Sequence, residues 1–165
     1  DRALTEMPTM KLAPMTESEF EIWEPRSRAA YAADKARSNS MTLFEAQEAA
    51  DRDFRRYLSD GLKTENSHLF TAKSSTGEIL GFIWFGIRDT PSKRSAFIYD
   101  VVIEPEHRGQ GHGREMMKLA ELEIRKLGAS RIGLHVFGYN TAAIQLYHSL
   151  GYLTTDVDME KVLQS

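Results

Sequence analysis

The chain has no cysteine in its 165 residues. Disulfides, cysteine-bound zinc and a cysteine nucleophile are therefore excluded, and a reducing compartment fits the absence. No apolar run approaches the ~18 residues of a membrane helix. The opening stretch, DRALTEMPTM, lacks the basic start and apolar core of a secretory signal. Positive charge is not in excess: 21 Lys and Arg stand against 24 Asp and Glu, a formal net charge of -3. Sequence-independent nucleic-acid binding draws on a basic excess, so no nucleic-acid partner is expected. No Gly-Lys-Ser/Thr tripeptide occurs, which excludes a P-loop. Repeats and low-complexity segments are also missing. A cytoplasmic single domain over 1–165 is expected, without membrane or metal.

The composition includes 41% hydrophobic and 10% aromatic residues, enough for a sizeable core. A short edge strand is expected near residues 8–13, closed by Pro14. Thr16 and Glu19 have capping-box spacing, so a helix should start there, with Phe20, Trp23 and Tyr31 on its apolar side. Pro25 should kink or interrupt it. Ser38-Asn39-Ser40 reads as a break. Thr42 and Glu45 form a second capping box, opening a helix that should stop at Asp60-Gly61. His68–Ser74 and Glu78–Arg88 read as a hairpin around Ser74–Gly77. The run FIWFGI at 82–87 argues burial on both faces.

Ala96 to Gly113, AFIYDVVIEPEHRGQGHG, is the organising stretch. Ala96 to Ile103 reads as a central strand covered on both faces, with Asp100 its one charge. Pro105 should end it by Glu104. Arg108-Gly109-Gln110-Gly111-His112-Gly113 then places three glycines on alternate positions before a helix expected over about 111–128, which carries Met116, Met117, Ala120, Ile124 and Leu127 on one face. Glycines here and a helix N-terminus make a nest for phosphate or pyrophosphate. The dinucleotide fingerprint would need glycine at 114, where Arg114 stands. A strand over about 130–136 follows, with Ile132, Leu134 and Val136 on one face and His135 on the other. The strand–helix–strand unit should be parallel, after an antiparallel meander. The class is α/β with a mixed sheet.

The pattern Ile-x-Pro-x-x-Arg-Gly running into Arg-x-x-Gly-x-Gly resembles motif A of the GNAT superfamily of N-acetyltransferases. Asn140, Ala143, Tyr147, Gly151 and Tyr152 resemble motif B of the same superfamily, N-x-x-A-x-x-x-Y-x-x-x-G-[FY]. The likeness covers roughly residues 66–165. It implies the GNAT fold with splayed central strands, and acetyl-CoA as co-substrate. Arg108, Gly109, Gln110, Gly111, His112, Gly113 and Arg114 would hold the pyrophosphate of coenzyme A, mainly by main chain. Val101, Val102 and Ile103 would bond the pantetheine arm like an added strand, with Asn140 and Ala143 on the same arm. The two helices after the first strand would cover the acceptor side, where Tyr31, Tyr99, Trp84 and the 37–41 linker are candidates. Many relatives close with a β-hairpin. Here 153–163 reads as one long or bent strand, with no turn residue after Gly151.

Such a transfer sets three demands. The amine must shed a proton from a group of pKa near ~10.4. The developing oxyanion needs a donor, here a main-chain N–H at the splay. The leaving thiolate needs a proton, for which Tyr147 is the implied donor. Two residues compete for the base. His135 matches a glutamate of ribosomal-protein alanine acetyltransferases. Asp100 falls where polyamine acetyltransferases carry a Glu-Asp pair. A water chain is the third option. The acceptor, a small-molecule or peptide amine, stays open, as does monomer or homodimer. The competing function is a catalytically silent module that binds coenzyme A as a sensor or scaffold.

Overall fold

A computed structural model describes residues 10–38 and 41–165. The start of the expected first strand at residue 8, and Asn39 and Ser40 of the expected break, lie outside the described residues. The chain divides into two compact units, one through His135 and one from Val136.

In the first unit, β1 (Met10–Pro14) leads to α1 (Glu17–Ser38) and α2 (Leu43–Tyr57). Three strands follow, β2 (Ser67–Ser74), β3 (Ile79–Thr90) and β4 (Lys93–Ile103), then α3 (His112–Lys126) and β5 (Arg131–Leu134). The sheet order is β1-β2-β3-β4-β5. The first three pairings are antiparallel, and β4 with β5 is parallel. Meander and crossover thus stand as the sequence pattern requires.

Both helix starts are capped as their spacing dictates. Glu19 N–H donates to Thr16 Oγ1 at 3.2 Å, and Thr16 N–H donates to Glu19 Oε1 at 3.0 Å. Glu45 N–H donates to Thr42 Oγ1 at 3.1 Å, and that hydroxyl donates to Glu45 Oε1 at 2.9 Å. Glu19 does more than cap. It is buried, takes the Thr71 hydroxyl of β2 at 3.1 Å and pairs with Lys73 at 3.2 Å. Burial would raise its pKa, but the bonds from Thr16, Lys73 and Thr71 prevail and hold it low.

One face of the sheet carries an aromatic core. Trp23 of α1 and Phe54 of α2 pack with Leu69, Phe82 and Trp84. Trp23 meets Trp84 edge-on with ring centres 5.7 Å apart, and Phe54 meets it at 5.4 Å. Such pairs add about 0.5–1.5 kcal/mol each beyond burial. α3 packs against β1, β3 and β4 through its buried Met116, Met117, Ala120 and Ile124. Leu80 to Gly86 of β3 is buried throughout, as a central strand should be.

Several expectations change. Pro25 does not interrupt α1, which is helical from Glu17 to Ser38. Glu21, whose carbonyl loses the Pro25 N–H, is exposed, so water can serve that carbonyl. Arg37 and Ser38 of the expected linker are the last residues of α1. β4 is only half-buried over Tyr99–Ile103, because β5 pairs with Ser95 to Ile98 alone. β5 ends at Leu134, so His135 follows the strand instead of lying within it.

The second unit holds α4 (Thr141–Ser149). Residues 152–165 form no strand or hairpin, correcting the strand expected over 153–163. A strand exists only where a neighbour completes its ladder, and none is there among the described residues.

Glu19→Gln should lower Tm by a few degrees at pH 7, on the order of 1 kcal/mol. The folded pKa is depressed, so the wild-type advantage is lost as pH falls through it and the two melting curves converge in acid. Calorimetry across pH checks both.

Candidate active site

The parallel partner of β4 stops where β4 itself changes shape. Ile98 pairs with Leu134, the last residue of β5. On the other side Phe85 pairs with Ile98 but Trp84 pairs with Asp100, which leaves Tyr99 as an extra, bulged residue. From Tyr99 to Ile103, β4 thus has β3 on one flank and no strand on the other among the described residues. Glu104 N–H donates to Leu80 O of β3 at 2.8 Å. By alternation Ile103 faces the bare flank, and there its carbonyl accepts Arg108 Nε at 3.0 Å. That leaves the neighbourhood of Val101 as the open stretch of main chain.

Helix α1 holds this bare half. Trp23, Arg26 and Ser27 recur at i, i+3 and i+4, one face of the helix. Trp23 Nε1 donates to Asp100 Oδ2 at 3.0 Å, and Ser27 Oγ donates to the same oxygen at 2.7 Å. Arg26 grips Glu104 through both carboxylate oxygens at 3.0 and 3.1 Å. The Glu104 side chain is only 14% exposed. Burial raises the pKa of Asp100. Bonds from Ser27, Trp23 and the Val101 N–H oppose that without overcoming it, and nearby Asp34 adds to the rise. Both side-chain bonds land on Oδ2, so Oδ1 has capacity for a further partner.

The glycine loop follows a single 3₁₀ turn at Pro105–His107. Gly109 and Gly111 have φ of 73° and 81°, and a Cβ at either would meet nothing within 4 Å. The left-handed backbone, not crowding, demands glycine there, and the space above stays open. Gly111 caps α3 with no side-chain hydrogen bond, and the helical ladder starts with Glu115 N–H on Gly111 O. The first-turn N–H groups carry the positive end of the helix dipole toward that space. The His112 side chain is 15% exposed with Nδ1 buried, so its contribution there is main chain. These features fit a pyrophosphate.

In the second unit the spacing of Asn140, Ala143, Tyr147, Gly151 and Tyr152 is a helix with both ends capped. Asn140 Oδ1 accepts the Ala143 N–H at 3.2 Å. Gly151, at φ 96°, sends its N–H to His148 O, while Tyr152 N–H donates to Tyr147 O, both at 3.0 Å. This is the Schellman pairing, and the Tyr147 and Tyr152 rings, 5.9 Å apart, make its side-chain contact. The motif thus fixes where Tyr147 sits on its helix.

The acceptor-side candidates separate. Trp84 is 2% exposed, with its indole N–H on Ser67 Oγ at 2.8 Å, so it is a core residue. Tyr31 donates to Asp53 Oδ2 at 2.9 Å and accepts from Lys35 at 3.3 Å, which locks α1 to α2. Burial raises its pKa. Tyr99 does line a pocket of about 290 Å³, together with Tyr57, Arg56, Asn66, Glu65 and Thr64. Its ring stacks on Trp84 at 4.5 Å, and its hydroxyl accepts from Arg88 at 2.9 Å. His135 is exposed. Sequence reasoning missed Trp23, Arg26 and Ser27 as the partners of Asp100 and Glu104. Their i, i+3, i+4 spacing puts them on one helix face but does not name the strand that the face meets. The bulge at Tyr99 left no signal.

A family model described as the acetyltransferase (GNAT) family matches residues 20–152. The uncharacterised N-acetyltransferase YycN of Bacillus subtilis (strain 168) is 30% identical over 155 residues, 94% of this chain and 99% of its own. YdgE of the same organism, named likewise, is 30% identical over 152 residues, 92% of this chain and 97% of its own. The crystal structure of YycN superposes with a TM-score of 0.90 at 30% identity, covering 95% of this chain and 100% of that one.

Asp100→Asn should be neutral or stabilising at pH 8, on the order of 1 kcal/mol or about 2–4 °C in Tm. The folded pKa of Asp100 is raised, so the wild type is relatively most stable in acid and loses ground as pH rises through that pKa. The advantage of the asparagine should therefore vanish toward pH 4, read by thermal melts across pH.

Proposed function

The chain belongs to the acetyltransferase (GNAT) family, and on that premise we propose how its own residues carry N-acetyl transfer from acetyl-CoA to a primary amine, by direct attack in a ternary complex. The family uses acetyl-CoA as co-substrate, which supplies the acetyl group as a thioester. The observation that carries the reading is the bare flank of β4 from Tyr99 to Ile103, running straight into the glycine loop and the uncapped start of α3. An extended arm can add there as a strand, with its diphosphate at Gly109 to Gly113.

A main-chain N–H of the bare stretch Val101 to Ile103 is the donor for the developing oxyanion. Asp100 is the favoured base. Its raised pKa brings it toward that of the proton it must accept, and Oδ1 has capacity for the incoming ammonium. His135, exposed past the end of β5, is the second choice and a water chain the third. Tyr147 is the proton donor to the leaving thiolate, a role that rests on its place in motif B. The acceptor amine is read into the pocket of about 290 Å³ beside Tyr99. With the family model running from residue 20 to 152, across both compact units, the chain is read as one domain.

Thiol release over an amine panel reads the activity. Tyr147→Phe should cut kcat by ~10²-fold or more with affinity for coenzyme A retained, as removal of a general acid does. A rate that barely moves removes that role. In pH–rate profiles Asp100→Asn should abolish the acidic limb and His135→Ala should keep it. The reverse result makes His135 the base, and no change in either points to water.

A further inference from the structure

Both side-chain donors to Asp100 reach the same oxygen. Trp23 Nε1 is 3.0 Å from Oδ2, and Ser27 Oγ is 2.7 Å from it. A carboxylate has two oxygens that accept, and Oδ1 takes neither of these bonds. The doubling makes sense once the group is neutralised. A proton on Oδ1 leaves Oδ2 as the carbonyl oxygen of an acid, which still accepts both bonds. A proton on Oδ2 would compete with both donors. The pair therefore favours Oδ1 as the oxygen that is protonated.

The two donors differ in what else explains them. Trp23 is 2% exposed and packs on Phe20, Phe54 and Trp84, so the core accounts for its place. Ser27 is half-buried, too small to add much packing, and its hydroxyl goes to Asp100. The charges around Asp100 leave it work to do. Burial raises the Asp100 pKa, and the charge of Asp34 on α1 adds to the rise. Arg26 of the same helix is committed to Glu104. β3 brings the uncharged Trp84 opposite Asp100, and α2 brings Phe54 against that ring. Among the bonds that oppose the rise, the one from Ser27 is the strongest.

We propose that Ser27 is a positioning residue for the transfer: its hydroxyl, beside the Trp23 indole, holds Asp100 so that Oδ1 takes the proton of the acceptor ammonium. The inference rests on the reading of Asp100 as the base. In this step one N–H bond breaks and one O–H bond forms at Oδ1. The electron pair of the broken bond stays on nitrogen for attack on the thioester.

In a pH–rate series on the full chain, Ser27→Ala should lower kcat about tenfold, as loosened positioning does, with the KM for acetyl-CoA kept. The Ser27 bond lowers the Asp100 pKa, so its loss should move the acidic limb to higher pH. Ser27→Thr keeps a hydroxyl and should restore both. Carbon NMR titration of the Asp100 carboxyl reads the same shift without turnover. A limb that Asp100→Asn abolishes but Ser27→Ala leaves in place overturns the inference and spares the base. A carboxyl titration that moves in Ser27→Ala, with a rate limb that stays in both variants, overturns the base and the inference with it. Loss of rate with an unmoved limb and no rescue by threonine marks a structural role only, and that too overturns it.

Discussion

Two hydrogen bonds on Asp100 Oδ2, from Trp23 and Ser27, tie the unpaired half of β4 to α1. The rest of the working surface depends on that tie. β4 loses its parallel neighbour after Ile98 and bulges at Tyr99, so from there on β3 holds it within the sheet on one flank alone. The helix face that bears Trp23, Arg26 and Ser27 supplies the missing constraint. The aromatic core in turn supports that face, through Trp23 against Phe54 and Trp84. A carboxylate placed there keeps its strand in position, and the same burial raises its affinity for a proton. The base proposed for the transfer is thus also the tie between strand and helix.

The two motifs prove to be statements about helix ends. Before α3, left-handed glycines present an uncapped N-terminus to open space, where an anion is favoured. At α4, Asn140 closes the first turn and Gly151 the last, while Tyr152 packs against Tyr147. One helix is left open and the other is sealed. The open one suits a diphosphate. The sealed one holds a tyrosine on a short, defined helix, which is what a proton donor requires.

Much of this was legible before any coordinates. Capping boxes at Thr16–Glu19 and Thr42–Glu45, the hairpin at Ser74–Gly77 and the strand–glycine loop–helix unit all follow from local chemistry, and they appear as expected. Pro25 misled because the cost of a proline in a helix depends on what its partner carbonyl faces, and Glu21 faces water. The final segment misled because a lack of turn residues after Gly151 does not by itself make a strand, which also needs a neighbour's ladder. At the site, Asp100 stood out as a lone charge in an apolar strand. Its partners lie 73 and 77 residues away, and sequence spacing carries no such pairing. Tyr31 and Trp84 were candidates for the acceptor side on the family resemblance. Their hydroxyl and indole groups turn out to be spent on Asp53 and Ser67.

The central claim is that the bare flank of β4 and the glycine loop together receive an acyl-coenzyme A. Calorimetric titration of the chain with acetyl-CoA tests it most directly, against Gly111→Glu shown to be folded. The account predicts micromolar binding to the wild type and none to the variant, since a carboxylate at residue 111 would occupy the open space and repel the diphosphate. Absence of binding to the folded wild type, or equal binding to the variant, would contradict it and leave the loop as a connection between strand and helix.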